Sequence, residues 1–394
     1  MESPLFKSII DINESNIIED TKTKKCNPIN IVYCNKYNYN SPFFFPNPFK
    51  SNKNERIFNK IKLDEKMLNH IYPTEEISQS DILRYHTPIY ISKLNGTYIS
   101  KVANMPLSLA IYPQQYIDNY IIDPIRWQCA GTCMAIEKAL QDGASINIGG
   151  GFNQAKRTRG AYNCILSDIP IAIEKLCSNM NIVIIDLGSR MAEGLQEYAL
   201  TKDNVYMFDM FNKNNVPYTT MNKKVINADI NKFNKKDKVF NVLLDGGYLE
   251  HKILGQNKLF NITLDKLDPW SFTEQINNRK VCNHEYMRAL KKLSVFLNIT
   301  KPDLIIYNAC YDPYHLDNYG CMDVTKEGII VRDLYVWKEA IARNIPIAMT
   351  VGNSNSPDEF ELIGESINEI ITYYSKFLKE KELDSYYQRL NNML

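Results

Sequence analysis

The chain has 394 residues, of which 44% are hydrophobic and 23% charged, with a formal net charge of +1 at pH 7. That balance is ordinary for a globular protein and offers neither a basic face for nucleic acid nor a polybasic patch for a membrane surface. No apolar run approaches the ~20 residues of a membrane span, and the N-terminus lacks a charged-then-apolar leader pattern. The nine cysteines include no CxxC pair and read as reduced thiols of an intracellular protein, cytoplasmic or nuclear. The abundance of Asn, Ile, Lys and Tyr fits an AT-rich coding genome, such as that of a virus or parasite.

In chain order, residues 1–27 are a polar tail or packed extension, and residues 28–394 are expected to form a single domain that includes a C-terminal helix. Ile29–Tyr33 is a first strand. Asn35–Pro48 is a loop with an aromatic cluster, Phe43-Phe44-Phe45, expected to pack as a hydrophobic flap. The spacing of Ile57, Ile61, Leu63, Met67 and His70 predicts a helix over 54–70, and Ile77–Leu94 a helix pair interrupted at Pro88. Pro124–Asp142 is the clearest helix, with Ala130, Cys133, Ile136 and Leu140 on one face and Gly143 as its stop.

The stretch 145–194 organises the rest. Ser145-Ile146-Asn147-Ile148 runs as a strand into Gly149-Gly150-Gly151. Asp168-Ile169-Pro170 opens a helix with Asp168 as its cap, and Asn181–Asp186 is a second strand. Val205–Asp209 is another. Residues 212–280 are expected to be long loops with a hairpin around Val239–Leu244. Helix 282–298, strand Asp303–Asn308, helix 326–343, strand Pro346–Val351 and helix Glu359–Leu378 complete the chain. Strands alternating with helices imply a parallel sheet covered on both faces. Ligands in such sheets sit beyond the carboxyl ends of the strands, which places four loops at one site: 149–154, 186–190, 308–312 and 350–355.

These segments carry a resemblance. Pro124-Ile125-Arg126-Trp127-Gln128, the INIGGGF run, Arg159-Gly160, Ser167-Asp168-Ile169, Ile184-Ile185-Asp186-Leu187, Val205–Asp209 and Pro302–Ala309 follow the order and spacing of the arginase/deacetylase superfamily. Within it, the chain resembles class IV histone deacetylases from about Ile29 to Ile371. The resemblance implies an α/β fold of three layers, α/β/α, with a mainly parallel central sheet. It also implies metal-assisted amide hydrolysis. A zinc held by two aspartates and a histidine activates water, a His-His pair moves protons, and a tyrosine steadies the oxyanion.

At the matching positions this chain departs from that pattern. The His-His pair falls on Asn153 and Gln154, whose amides do not titrate. The Asp-x-His ligands fall on Gly188 and Arg190, neither of which coordinates a cation. Asp312 keeps the third ligand. Ser354 stands at the oxyanion tyrosine and Asn163 at an aromatic tunnel wall, while Gly151, Phe152 and Asp186 are the other expected pocket residues. Cys310, Cys164 and Cys321 are read as buried or loop thiols and His315 as a surface histidine rather than as substitute ligands, Asp186 as a backbone organiser, and Glu193 as an exposed helix-start carboxylate. Asp312 and Arg190 sum to zero charge, and the Arg190 guanidinium is expected to take the metal's place in a direct pair with Asp312.

The expectation is therefore a catalytically inactive deacetylase-like pseudoenzyme without zinc or other cofactor, binding or scaffolding an unknown protein partner, with no role for nucleic acid or membrane. Two alternatives stay open: a metal-dependent lysine deacylase with rearranged ligands, and a nucleotide-binding protein reading phosphate at Gly149-Gly150-Gly151. The latter's spacing departs from G-x-G-x-x-G.

Overall fold

A computed structural model describes residues 28–42, 45, 49, 52–62, 67–103, 107–215, 229–245, 249–251, 273–275 and 281–391. The expected tail, residues 1–27, and Phe43 and Phe44 of the aromatic cluster lie outside the described residues. Strands β1 (Ile29–Val32), β2 (Leu68–Ile71), β3 (Ala144–Asn147), β4 (Ile182–Asp186), β5 (Val205–Asn212) and β6 (Val239–Leu244) are followed by a two-stranded antiparallel pair, β7 (Leu249–His251) and β8 (Thr273–Gln275). Strands β9 (Leu304–Ala309) and β10 (Ile347–Val351) complete the set.

Eight of these strands form one sheet in the order β2-β1-β3-β10-β9-β4-β5-β6, and every pairing in it is parallel. The central strands are apolar on both faces because both are covered. Ile31, Ile146, Val183, Ile305 and Met349 pack on one side with the helices Lys53–Phe58, Asn283–Leu290, Lys326–Ala342 and Glu359–Asn391. Ile182, Ile184, Met207, Ile306 and Ala348 face the helices Asp123–Asp142, Asp168–Leu176 and Glu193–Leu200. This is the three-layer α/β/α arrangement expected from the strand–helix alternation. Phe45 is buried against Tyr112, Tyr116 and Tyr120, so the described part of the flap packs on the core.

Three expectations need correction. The helix over 54–70 ends at Phe58, and Leu68–Ile71 is a strand, because its backbone pairs in register with Ile29–Val32. Val239–Leu244 is no hairpin arm but the sheet's edge strand, parallel to β5. The helix over 282–298 is two helices, Asn283–Leu290 and Lys292–Thr300. Gly143 does end its helix, at φ 99°, a left-handed conformation that favours glycine.

Candidate functional site

Strands β3, β10, β9 and β4 are consecutive neighbours in the sheet. Their carboxyl ends therefore present the glycine loop, the loop after Val351, Cys310–Asp312 and Leu187–Arg190 side by side. The glycine loop is shaped by close approach. Gly150 and Gly151 have φ of 74° and 75°. A Cβ on Gly151 would lie 2.4 Å from Asn308 Oδ1 and 2.9 Å from the Gly352 Cα. The Gly151 and Phe152 amides donate to Asp168, at 2.9 and 2.8 Å, and the Thr132 hydroxyl donates to the same carboxylate at 2.6 Å. Asp168 is thus not the cap of its helix; Ser167 holds that position, and Asp168 ties the glycine loop down from the first turn.

Asp186 ends β4 at the floor of the site. Its carboxylate accepts from Asn153 Nδ2 (2.9 Å), Asn308 Nδ2 (2.7 Å) and the Gly188 amide (3.1 Å). Burial raises it to about 6 despite these donors. Asp209, its register partner on β5, is pushed up by burial and by the Asp186 charge. Among the described residues, the buried side-chain oxygens Asn153 Oδ1 and Gln154 Oε1 have no hydrogen-bond partner, while Gln154 Nε2 donates to the Met191 carbonyl at 2.9 Å. Neither amide can take or give a proton as a base would.

Asp312 is buried, and Ser189 holds it at both oxygens. The Ser189 amide donates to Oδ1 at 2.8 Å and its hydroxyl to Oδ2 at 2.6 Å. Burial raises Asp312, with Ser189 the largest opposing influence and Arg190 a weaker one. Among the described residues no ion pair joins Arg190 to Asp312. The Arg190 guanidinium instead stands 4.3 Å over the Tyr162 ring. The expected Arg190–Asp312 pair is therefore replaced by a serine that caps the carboxylate from the same loop. The shorter Ser189 side chain brings its donor in together with its own backbone N–H.

The space beside Gly188 is taken by Cys310. A Cβ on Gly188 would lie 3.2 Å from the Cys310 Cβ and 3.4 Å from its Sγ, and a Cβ on Gly352 would lie 2.6 Å from that Sγ. The thiol is thus wedged between two loops whose glycines make room for it. Burial and the neighbouring Asp186 and Asp312 push it well above its ordinary pKa, so it stays a neutral thiol. Arg332, buried behind it, donates to the Cys310 carbonyl at 2.5 Å and pairs with Asp333 at 2.8 Å.

Ser354 is buried and faces its own loop, 3.3 Å from the Ser356 hydroxyl. Asn163 is exposed at φ 66° in a tight turn after Tyr162 (φ 46°). Phe152 is half-buried and packs on the second core cluster. Cys164 and Cys321 are buried, and His315 is half-buried. Glu193 is not exposed. It is buried and forms an ion pair with the buried Lys156 at 2.8 Å, linking the glycine loop to the helix Glu193–Leu200. Sequence reasoning missed Ser189, Asn308 and this ion pair. Cys310 was singled out only as a flank of Asp312. A serine in a strand-end loop is a faint signal, because its partner lies more than a hundred residues away.

The donors here do not suit the zinc that the resemblance implies. Both Asp312 oxygens are engaged by Ser189, Gly188 has no side chain, and a guanidinium does not coordinate a cation. Among the described residues, no three His, Cys, Asp or Glu side chains gather in a way that could hold a metal ion.

A parallel eight-stranded sheet with its site at the strand carboxyl ends defines an open three-layer α/β protein. It superposes with a TM-score of 0.62 on the HDA15 HD domain, at 13% identity, covering 89% of this chain and 90% of that one. The TM-score is also 0.62 with an HDAC homolog complexed with SAHA, at 17% identity, covering 89% and 84%. The chain belongs to the histone deacetylase domain family, whose sequence model matches residues 47–352. It is 26% identical over 330 residues to histone deacetylase 2 of Arabidopsis thaliana, covering 82% of this chain and 73% of that protein. It is 24% identical over 236 residues to an uncharacterized protein of Picosynechococcus, covering 59% and 63%. Among the described residues no helix is long and apolar enough to cross a membrane.

Proposed function

We propose that this chain is a class IV-like member of its family that no longer hydrolyses acyl-lysine and serves as a binding or scaffolding protein for a protein partner. In this reading residues 28–394 act as one domain without a resident metal. Asn153, Gln154, Gly188, Arg190 and Ser354 stand where the catalytic groups of a deacetylase would. No disulfide joins any two of the described cysteines, which suits a cytoplasmic or nuclear setting.

The observation that carries this reading is the capping of Asp312. The side chain best placed to remain a ligand spends both oxygens on Ser189, while Cys310 fills the space beside Gly188. A carboxylate satisfied by two short donors gains little from a cation that brings no second or third protein ligand. The test is elemental analysis of the purified full chain, with hydrolysis assays on acetyl-lysine and long-chain acyl-lysine peptides. The expected result is substoichiometric zinc, no turnover above background, and a melting temperature that a chelator leaves in place. Stoichiometric zinc with chelator-sensitive turnover would establish instead a lysine deacylase with rearranged ligands.

A further inference from the structure

Away from the four loops, at the sheet edge formed by β1 and β2, lies a groove of about 300 Å³. Four rings line it. Tyr33 stacks on Phe58 with centroids 4.6 Å apart and planes at 24°. His70 tilts onto Phe58 at 4.6 Å. Tyr72 stands 6.2 Å from His70 at 54° and is 59% exposed. Among the described residues, Glu55 is the only acidic side chain in the lining, and no lysine or arginine lines it.

Local structure sets this up. Tyr33 follows β1, and His70 and Tyr72 lie in and just after β2, while Glu55 and Phe58 sit three apart on the helix Lys53–Phe58 and so share a face. His70 Nε2 lies 3.1 Å from the Tyr33 carbonyl, which only accepts; that nitrogen therefore carries the hydrogen, and the ring is held in place. Asn38 donates to both Tyr33 Oη (3.2 Å) and Glu55 Oε2 (3.3 Å), fixing the carboxylate against the aromatic wall.

Aromatic faces attract cations, most strongly those whose hydration alkyl groups have weakened. A carboxylate beside such a wall adds charge complementarity and accepts a hydrogen bond from any N–H the cation keeps. We propose that this groove binds a methylated lysine side chain that retains an N–H, with the exposed Tyr72 ring contacting its methyl groups and Glu55 accepting from its nitrogen. A choline headgroup would bring the same kind of cation. Its phosphate, however, would find no cationic partner in the lining. This assignment is independent of whether the four-loop site is catalytic.

The test is titration of the full chain with Nα-acetyl-dimethyl-lysine amide, the unmodified lysine amide, a neutral tert-butyl isostere and phosphocholine, followed by NMR or calorimetry. The dimethyl form is expected to bind at least about five-fold more tightly than each of the other three. Tyr72→Ala and Glu55→Gln are each expected to weaken it by a similar factor, and Tyr72→Phe to keep it. The ring at position 72 is exposed, so its loss leaves the fold in place as a control. Absent binding, equal binding of the isostere or unmodified lysine, preference for phosphocholine, or indifference to both weakening variants would each overturn the assignment.

Discussion

Ser189 supplies Asp312 with two hydrogen bonds from a single residue, and removing its hydroxyl measures how far the site depends on that cap. Ser189→Ala leaves the backbone donor and deletes the 2.6 Å contact to a buried carboxylate. A hydrogen bond to a charged group contributes about 1.5–3 kcal/mol, so the variant should lose about 2 kcal/mol of stability in urea denaturation. Arg190→Met should lose under about 1 kcal/mol, because its guanidinium is half-exposed and rests on the Tyr162 ring. The reverse order would show that the arginine, not the serine, steadies Asp312.

His86 provides a test at the same scale with a sign that can be worked out. It is buried, accepts from the Ser167 amide at 3.0 Å, and is lowered to about 4 by burial. The unfolded chain, near pKa 6.5, binds the proton more readily. Stability from His86 is therefore complete above about pH 6.5 and is lost as pH falls toward 4, by about 3 kcal/mol in full. Asp186 and Asp317, raised to about 6 and about 7, act with the opposite sign across the same range. The informative quantity is the difference between the native chain and His86→Gln, whose side-chain oxygen can still accept from Ser167. That stability advantage of the native chain should shrink as pH is lowered from 7 to 4.5, and a constant difference would exclude the buried neutral imidazole.

At the scale of elements, the glycine loop is where local sequence and long-range packing agree. Its strand and its turn were legible because three successive glycines leave no side chain to compete with close backbone approach. Gly151→Ala should be severely destabilising, by about 3 kcal/mol or more, since both its φ and its crowding by Asn308 and Gly352 forbid a Cβ. Gly149→Ala, where φ lies outside the left-handed region and a Cβ would meet nothing closer than 3.0 Å, should cost less. Thermal melts of the two variants rank them directly. Strand β2 was illegible for the opposite reason. Leu68–Ile71 is four residues long, two of them exposed, and only its pairing with β1 makes it a strand. The alternation in Val239–Leu244 did announce a strand, but not the direction of its partner. At single sites the sequence shows departures from the family pattern and no more. The contacts of Ser189 and Cys310 were not readable, because they act on residues that only the folded sheet brings near.

For the molecule as a whole, the framework and the chemistry separate. The sheet, its register and the glycine loop stand on apolar burial and backbone pairing, and none of these requires a metal. If the proposed loss of function rests on the loops alone, returning ligands to the scaffold should return metal without returning turnover. Gly188→Asp together with Arg190→His would give Asp312 an aspartate and a histidine as companions, a set suited to zinc. The Cys310 side chain crowds a new side chain at 188, with its Cβ 3.2 Å and its Sγ 3.4 Å from the position of the added Cβ. The pair of substitutions should therefore bind zinc weakly, and the addition of Cys310→Gly should raise occupancy several-fold by elemental analysis. Hydrolysis of acetyl-lysine peptides should still be absent, because Asn153 and Gln154 carry no titrating group to move a proton. Measurable turnover in the triple variant would mean that proton relay at this site runs through other residues. Failure of the triple variant to take up zinc would mean that these loops do not converge on a metal position at all.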